Sequence, residues 1–338
     1  MKNLNVCFVG CGEHANRFIY PALKSVEGVT LQAIAVLPKD NPALCAKHCG
    51  AQRAYDDFRN MITAEKPDAG LIVGPPQLHY DAGMYCLEKG IPFFIEKPMG
   101  KNLEQASSMT KKARETQGFG QVGFMMRHSA VKKKIDTVME SRNTGEILYG
   151  TVRYLTSGPY RSDEIYGMPG TDDLSYLWRY LMIQAVHPVN LAASFLGKIV
   201  KIDPEVIWNG ENIVVEIRLK DENGRLFRIL LHTLVSPGYG NLQFGLDLYF
   251  ADRSMIFTDA FHSLNYFPPE KSSNGNCEHW QFATFGDNSI KMGYGGEIAY
   301  FIDSVRKNGQ TPNLTTLEDG LKTMEILDTV YNIIKKRT

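Results

Sequence analysis

Four short apolar runs, Leu4–Val9, Leu31–Leu37, Ala69–Val73 and Pro92–Ile95, recur in the N-terminal part of the chain, with helix-patterned stretches between them. The runs are nearly continuous rather than alternating, the pattern of parallel strands covered on both faces. Ala15–Ser25, Pro42–Cys49 and Leu78–Lys89 supply the helices between them. Strand and helix in alternation predict βαβ units with right-handed crossovers, hence an α/β fold with a doubly wound parallel sheet. Asn102-Leu103-Glu104-Gln105 has the form of a capping box and opens a helix with Leu103, Ala106, Met109 and Ala113 on one side. Phe119–Gly123 is expected to be a fifth strand.

Each run ends in unusual chemistry: Gly10-Cys11-Gly12, Pro38-Lys39-Asp40, Gly74-Pro75-Pro76 and Glu96-Lys97-Pro98. In a parallel sheet these ends share one edge, and open α/β sheets bind ligands there. Gly10-x-Gly12-x-x-Ala15 matches the GxGxxG/A dinucleotide fingerprint in a strand–turn–helix context. The first glycine allows the tight turn, the second lets a pyrophosphate approach the backbone, and Ala15 lets helix and strand pack closely. The helix N-terminus then faces the phosphates, with Glu13 and His14 in its first turn. A plain tight βα turn is the alternative. A carboxylate at the second strand end would hold the adenosine ribose and favour NAD. Leu37 stands there instead, and Lys39 can face a 2′-phosphate, which tilts the choice toward NADP. Asp40 keeps NAD open.

Lys97 lies at the same edge. Like-charge repulsion and desolvation beside a nicotinamide would lower its pKa into a range useful for proton transfer. The competing reading is a structural pair with Glu96.

The second half has a different rhythm. Gly145–Leu155 reads as a strand, and a helical region spans Leu174–Leu196. Ile213–Leu219, Arg225–Leu234, Leu242–Phe250 and Ser254–Thr258 follow as strands, with Asp221-Glu222-Asn223-Gly224 a hairpin turn. Consecutive strands after a helix predict a mostly antiparallel sheet with helices on one face. Thr315-Thr316-Leu317-Glu318 is expected to cap a last helix whose stripe is Leu317, Leu321, Met324, Leu327, Tyr331 and Ile334. The expected domains are 1–124 for dinucleotide binding and 125–338 for substrate and assembly, with the last helix free to pack back on the first domain.

Lysines and arginines number 37, as do the acids, so charge gives no reason to expect nucleic acid or an anionic membrane. No apolar run approaches the roughly 20 residues that span a bilayer, and Val6–Val9 is too short for a signal peptide. Six cysteines in 338 residues make no disulfide framework and read as reduced thiols in a cytoplasmic protein. Cys45, His48 and Cys49 lack a second ligand pair, so no metal is expected.

Gly10-x-Gly12, Gly74-Pro75-Pro76-x-x-His79 and Glu96-Lys97-Pro98 together resemble the glucose–fructose oxidoreductase/inositol dehydrogenase family, Gfo/Idh/MocA. Val122-Gly123-Phe124-Met125-Met126-Arg127, Gly145-Glu146-Ile147 and Leu317-Glu318-Asp319-Gly320 are similar to its continuation. The resemblance implies an N-terminal Rossmann domain, a C-terminal α/β domain with an open antiparallel sheet, and NAD(P)-dependent oxidation or reduction of sugars and polyols. It adds Gly74, Pro75, Pro76, His79 and Glu96 to the cofactor-binding candidates and makes Lys97 the catalytic lysine. The family's D-x-x-x-H element resembles Gln184-Ala185-Val186-His187-Pro188-Val189-Asn190, which assigns its histidine role to His187. Ile183 stands where the acid is expected, which keeps open a second reading, a cofactor- and sugar-sensing regulator without turnover. Arg127, Tyr160, Arg161, Trp178 and Arg179 are substrate-binding candidates, because guanidinium groups and aromatic faces suit a sugar ring or an anionic group. Packing is the alternative for each. An open sheet would expose apolar residues of Leu242–Phe250 and Ser254–Thr258, and so predicts a homodimer or homotetramer.

Overall fold

One row of backbone register organises the N-terminal sheet. Tyr55 pairs with Ala35, Ala35 with Val9, Val9 with Ile72, Ile72 with Ile95 and Ile95 with Val122, all parallel. These residues belong to β1 (Leu4–Val9), β2 (Val29–Ala35), β3 (Arg53–Tyr55), β4 (Ala69–Ile72), β5 (Phe93–Ile95) and β6 (Gly120–Val122). The strand order is β3-β2-β1-β4-β5-β6. It reverses between β1 and β4, where open α/β sheets form their ligand crevice. The structure, a computed structural model, describes residues 3–161, 170–234, 243–269, 277–282, 292–309, 311 and 315–338.

The helices start where their caps dictate. After β1 a π-helical turn, Ala15–Ile19, leads into α1 (Tyr20–Lys24). Asn41 accepts from the Leu44 amide to open α2 (Pro42–Cys49), and Asp57 from the Asn60 amide to open α3 (Phe58–Glu65). α4 spans Pro76–Lys89 and α5 spans Leu103–Thr116, the latter capped by Asn102. In the second half come α6 (Ala130–Ser141), β7 (Ile147–Leu155), α7 (Asp173–Tyr180), a π-helical turn at Leu181–Ala185, and α8 (Val186–Ala193). β8 (Ile199–Asn209), β9 (Asn212–Asp221), β10 (Leu226–His232), β11 (Gln243–Phe250), β12 (Met255–Asp259), β13 (Ser263–Phe267) and β14 (Glu278–Gln281) follow. The chain ends with α9 (Tyr294–Arg306) and α10 (Leu317–Lys335).

The chain divides into two compact units. The first is Met1–Met125 with Gly293–Met324, and the second is Met126–Met292 with Glu325–Thr338. The first unit therefore takes back a late segment. Val122 and Thr315 exchange a backbone bond and a hydroxyl bond, and Thr316 bridges Gln121 antiparallel, so the free edge of β6 is paired. The capping box of α10 sits one residue later than the sequence suggests. Thr316 Oγ1 accepts from the Asp319 amide and Asp319 Oδ2 from the Thr316 amide, while Glu318 pairs with Arg114.

The second unit holds the sheet β14-β13-β12-β11-β7-β10-β9-β8, antiparallel except for the β7–β10 pair. The hairpin β9–β10 turns at Asp221, whose carboxylate accepts from the amides of Asn223, Arg225 and Gly197. One expectation is corrected. Phe244, Leu246, Leu248 and Phe250 of β11 and Ile256 of β12 are buried within this unit rather than left exposed. The other face of the same strands carries Tyr249, Met255 and Phe257, half-buried. Leu242 lies outside the described residues. Among the described residues no helix is long and apolar enough to cross a membrane.

Candidate active site

The bonds that continue the register row build the edge of the first unit's sheet. The Gly10 amide donates to Ala35 O, Val73 to Val9 O, Glu96 to Ile72 O and Gly123 to Ile95 O. Gly10, Val73, Glu96 and Gly123 are thereby set side by side, one step beyond the strands. Gly10 has φ +111°, and a Cβ there would lie 1.9 Å from Val73 O, so only glycine fits. A Cβ on Gly12 would meet nothing within 4 Å. The turn thus leaves open space in front of Gly12, which fits a dinucleotide pyrophosphate at the start of a helix. Ala15 is fully buried behind it.

The residues around this turn fall into two groups. Leu37 is 59% exposed, and Lys39 is exposed in the 3₁₀ turn Pro38–Asp40. Glu13 is exposed and lies 3.8 Å from Arg17. Pro75 is exposed at the N-cap of α4 and Pro76 is buried. The other group is wired internally. Glu96 is buried, with Oε1 3.1 Å from His14 Nε2 and Oε2 accepting from the Lys97 amide at 3.2 Å. Burial pushes the Glu96 carboxyl up, but the neighbouring His14, Lys97 and His79 outweigh it and hold it below the usual range.

His79 is a positional correction. It is buried, its Nε2 accepts from the Gly74 amide at 3.0 Å, and its Nδ1 donates to Pro98 O at 2.7 Å. Both ring nitrogens are committed to backbone, so His79 ties the loop after β4 to the loop after β5 and has no hydrogen bond left for a cofactor. Gly74 itself presents a backbone amide to that histidine.

Lys97 follows Glu96 and is half-buried, and its peptide bond to Pro98 is cis. Burial lowers its pKa, while the nearby acids Glu96 and Glu297 work in the opposite direction. Among the described residues its ammonium makes no ion pair within bridging distance, so the structural pairing with the Glu96 carboxylate is not the arrangement seen. Glu297, on α9, was not singled out from the sequence. Its signal was there: one acid inside the apolar stretch Tyr294–Ile302.

In the second unit, His187 is buried on α8, its ring 6.0 Å from that of Tyr154. Ile183, in place of the acid, sits in the π-helical turn Leu181–Ala185 that feeds α8. π-turns often mark functional positions in helices. Three of the five substrate candidates are occupied elsewhere, which corrects their assignment. Arg179 is 1% exposed and donates to the carbonyls of Gly170, Tyr160 and Arg161. Arg161 pairs with Asp173, donates to Gly210 O and Thr171 O, and lies over Tyr176 and Trp208. Trp178 packs edge-on against Tyr331 at 5.1 Å. Arg161 and Arg179 tie Tyr160, Arg161, Gly170 and Thr171 to α7, and Trp178 packs α7 on α10. Tyr160 and Arg127 are half-buried. Among the described residues no group of three His, Cys, Asp or Glu is placed to hold a metal; Cys45 Sγ donates to Asp40 O.

A glycine turn at the switch point of a doubly wound sheet, with a half-buried lysine at the same edge, is the arrangement of a dinucleotide-binding Rossmann scaffold. Residues 4–124 match the oxidoreductase family with an NAD-binding Rossmann fold, Gfo/Idh/MocA. It is 24% identical over 242 residues to a 4-carboxy-2-hydroxymuconate-6-semialdehyde dehydrogenase from Sphingobium sp., covering 68% of this chain and 71% of that one. A myo-inositol 2-dehydrogenase from Thermotoga maritima is 24% identical over 303 residues, 88% of this chain and 86% of its own. The crystal structure of a dehydrogenase from Chromobacterium violaceum superposes with a TM-score of 0.87 at 19% identity, covering 98% of this chain and 96% of that one. That likeness is one of fold.

The His79 bridge has a pH signature. Burial pushes its pKa down from 6.5 to about 4, with Lys97 and His14 acting in the same direction against Pro98 O and Glu96. The unfolded chain therefore binds a proton at His79 between those two values that the folded chain does not. Stability from the neutral bridge is full above pH 6.5 and is lost as pH falls toward about 4. His79→Gln should cost about 1–3 kcal/mol of stability at pH 7 through lost bonding, and so lower the melting midpoint there. The gap from wild type should narrow as pH falls toward 4. Parallel melts at pH 7 and near pH 4.5 measure it, and a constant gap counts against a neutral His79.

Proposed function

We propose that the protein is an NAD(P)-dependent oxidoreductase that interconverts a carbinol and a carbonyl on a sugar, a polyol or a nucleotide sugar. The observation that carries this reading is the half-buried Lys97 at the sheet edge that also bears the open Gly10–Gly12 turn. The turn and the first helical amides hold the dinucleotide phosphates, with Gly74, Pro75 and Pro76 beside them. A bound nicotinamide dinucleotide supplies the hydride acceptor, or the donor in reverse. Lys97, uncharged, takes the hydroxyl proton as the C–H bond breaks, and its ammonium returns that proton in the reverse direction. His187 is the residue proposed to orient the reacting oxygen, with Arg127 and Tyr160 as further substrate contacts. The dehydrogenase names of the relatives support the reaction type, and the inositol relative supports a polyol or sugar as substrate class.

Lys97→Met keeps most of the side-chain volume and removes the amine. With a substrate found by a thermal-shift screen of sugars, polyols and nucleotide sugars, cofactor affinity should survive and turnover should fall by roughly 10²–10⁴. Wild-type turnover in that variant would sink the mechanism. Binding of cofactor and sugar by the wild type with no hydride transfer would favour the sensor reading, which Ile183 supports.

The cofactor preference proposed is for NADP. An exposed apolar Leu37 offers the ribose no acceptor, and the exposed Lys39 offers a 2′-phosphate a cation. Lys39→Glu should shift preference toward NADH in fluorescence titrations. Tighter binding of NADH than of NADPH by the wild type would overturn the assignment.

Assembly as a homodimer or homotetramer is proposed through the outer face of the second unit's sheet. Tyr149, Tyr249, Phe257 and Phe267 form a half-buried aromatic ladder there, with ring centroids 5.5–5.6 Å apart. Faces of this kind mark interfaces. Light scattering at micromolar concentration should give a multiple of 38.0 kDa, and a monomer mass would reject it.

A further inference from the structure

α9 brings a buried acid to the sheet edge. Tyr294, Glu297, Ile298 and Phe301 are spaced to share one helix face, and all are buried. At one end of that face the Tyr294 ring lies 5.4 Å from His14 and stacks at 4.7 Å on Phe18. At the other end the Phe301 ring lies 6.0 Å from Phe94 of β5 and 6.1 Å from Phe119. The Glu297 carbonyl between them accepts from Gln121 of β6 at 3.0 Å. The Glu297 side chain thus sits between the turn after β1 and the end of β5. It is 0% exposed, and among the described residues neither carboxyl oxygen has a hydrogen-bond partner. An acid kept only for packing would be costly in this position, because an unpaired buried carboxyl loses its hydration without compensation.

The ionised groups that act on it are Glu96 and Lys97, both at the end of β5. Glu96 is held by His14 from the first helix, and His79 from α4 is bonded to Pro98 O beside Lys97. Glu96 therefore already supplies the negative charge at this site. A second anion at Glu297 is tolerable only when Lys97 is an ammonium. Burial and the Glu96 charge push the Glu297 carboxyl well up, and Lys97 alone draws it back.

We propose that Glu297 is a positioning residue for Lys97: acting through charge and not through a direct hydrogen bond, the buried carboxyl and the lysine amine carry one proton as a pair, and the pair determines when Lys97 is free to accept another. The two arrangements are carboxylic acid with neutral amine and carboxylate with ammonium. They differ only in where one proton sits, and the net charge of the pair is the same in both. This inference rests on the oxidoreductase reading only for its link to turnover, since the shared proton is a property of the protein itself.

The test is a titration of the intact protein by NMR, with lysine labelled at Cε and Nζ, glutamate labelled at the carboxyl carbon, and Lys97→Met used to assign Lys97. A carboxylate beside an ammonium favours the charged lysine, so Glu297→Gln should lower the Lys97 midpoint by about one pH unit or more, the mark of a coupled pair. The acid limb of the oxidation rate profile should move in the same direction, which a loss of packing alone would not cause. In Lys97→Met the Glu297 carboxyl should titrate at higher pH than in wild type. That comparison decides the matter if Glu297→Gln does not fold. A Lys97 midpoint unchanged by Glu297→Gln, or a Glu297 midpoint unchanged by Lys97→Met, overturns the proposal. Coupled titration in a protein that never turns over would leave the pair standing and reject the proton-transfer role of Lys97. Normal turnover with uncoupled titration would reject the pair alone.

Discussion

The contact on which the rest of the first unit depends is that between Gly10 and the Val73 carbonyl. A Cβ at Gly10 would stand 1.9 Å from that oxygen, so the ends of β1 and β4 close up only because no side chain intervenes. The closure lets Val73 donate to Val9 and Gly10 to Ala35, which carries the row of register past the last strand residues. Gly12 is then delivered to an open position, and Glu96 and Lys97 are delivered one strand further along. A displaced β1–β4 pair would misplace both ends of the chemistry together.

Around that edge the polar side chains are satisfied mainly by backbone and by one another. His79 links two loops, and Glu96 links β5 to the first helix. Charge is therefore scarce and specific there, and each added charge is felt strongly in a region with little water. That is why a half-buried lysine and a buried glutamate without a hydrogen-bond partner among the described residues are informative at this place, whereas the exposed ion pairs elsewhere, such as Lys111 with Glu115, carry little.

The parallel sheet was legible because strands buried on both faces appear as uninterrupted apolar runs, and its edge was legible because glycine and proline cluster there. β3 is only Arg53–Tyr55, too short for any periodicity to show. β8 was hidden for another reason: only one of its residues is buried, and that one is Pro204, which an edge strand can allow. Gly10, Gly12 and Lys97 were visible because their roles depend on residue type at a fixed spacing. Arg161, Trp178 and Arg179 misled because a guanidinium or an indole looks the same in sequence whether it holds a ligand or backbone carbonyls. Glu297 was marked in sequence only as one acid in an apolar stretch; that its carboxyl is buried without a hydrogen-bond partner among the described residues is something only tertiary structure displays.

The pairing of Thr315 and Thr316 with β6 has a temporal consequence. Residues up to Met125 can leave the ribosome with β1 to β6 complete in sequence, yet the edge of β6 stays open until the strap after α9 has been made. The whole second-unit segment, Met126–Met292, is synthesised in that interval. A nascent chain paused there would display an unpaired strand edge and the uncovered face that α9 later occupies. Vectorial synthesis therefore makes the dinucleotide-binding half, although first in sequence, the unit that cannot be finished until nearly the whole chain exists.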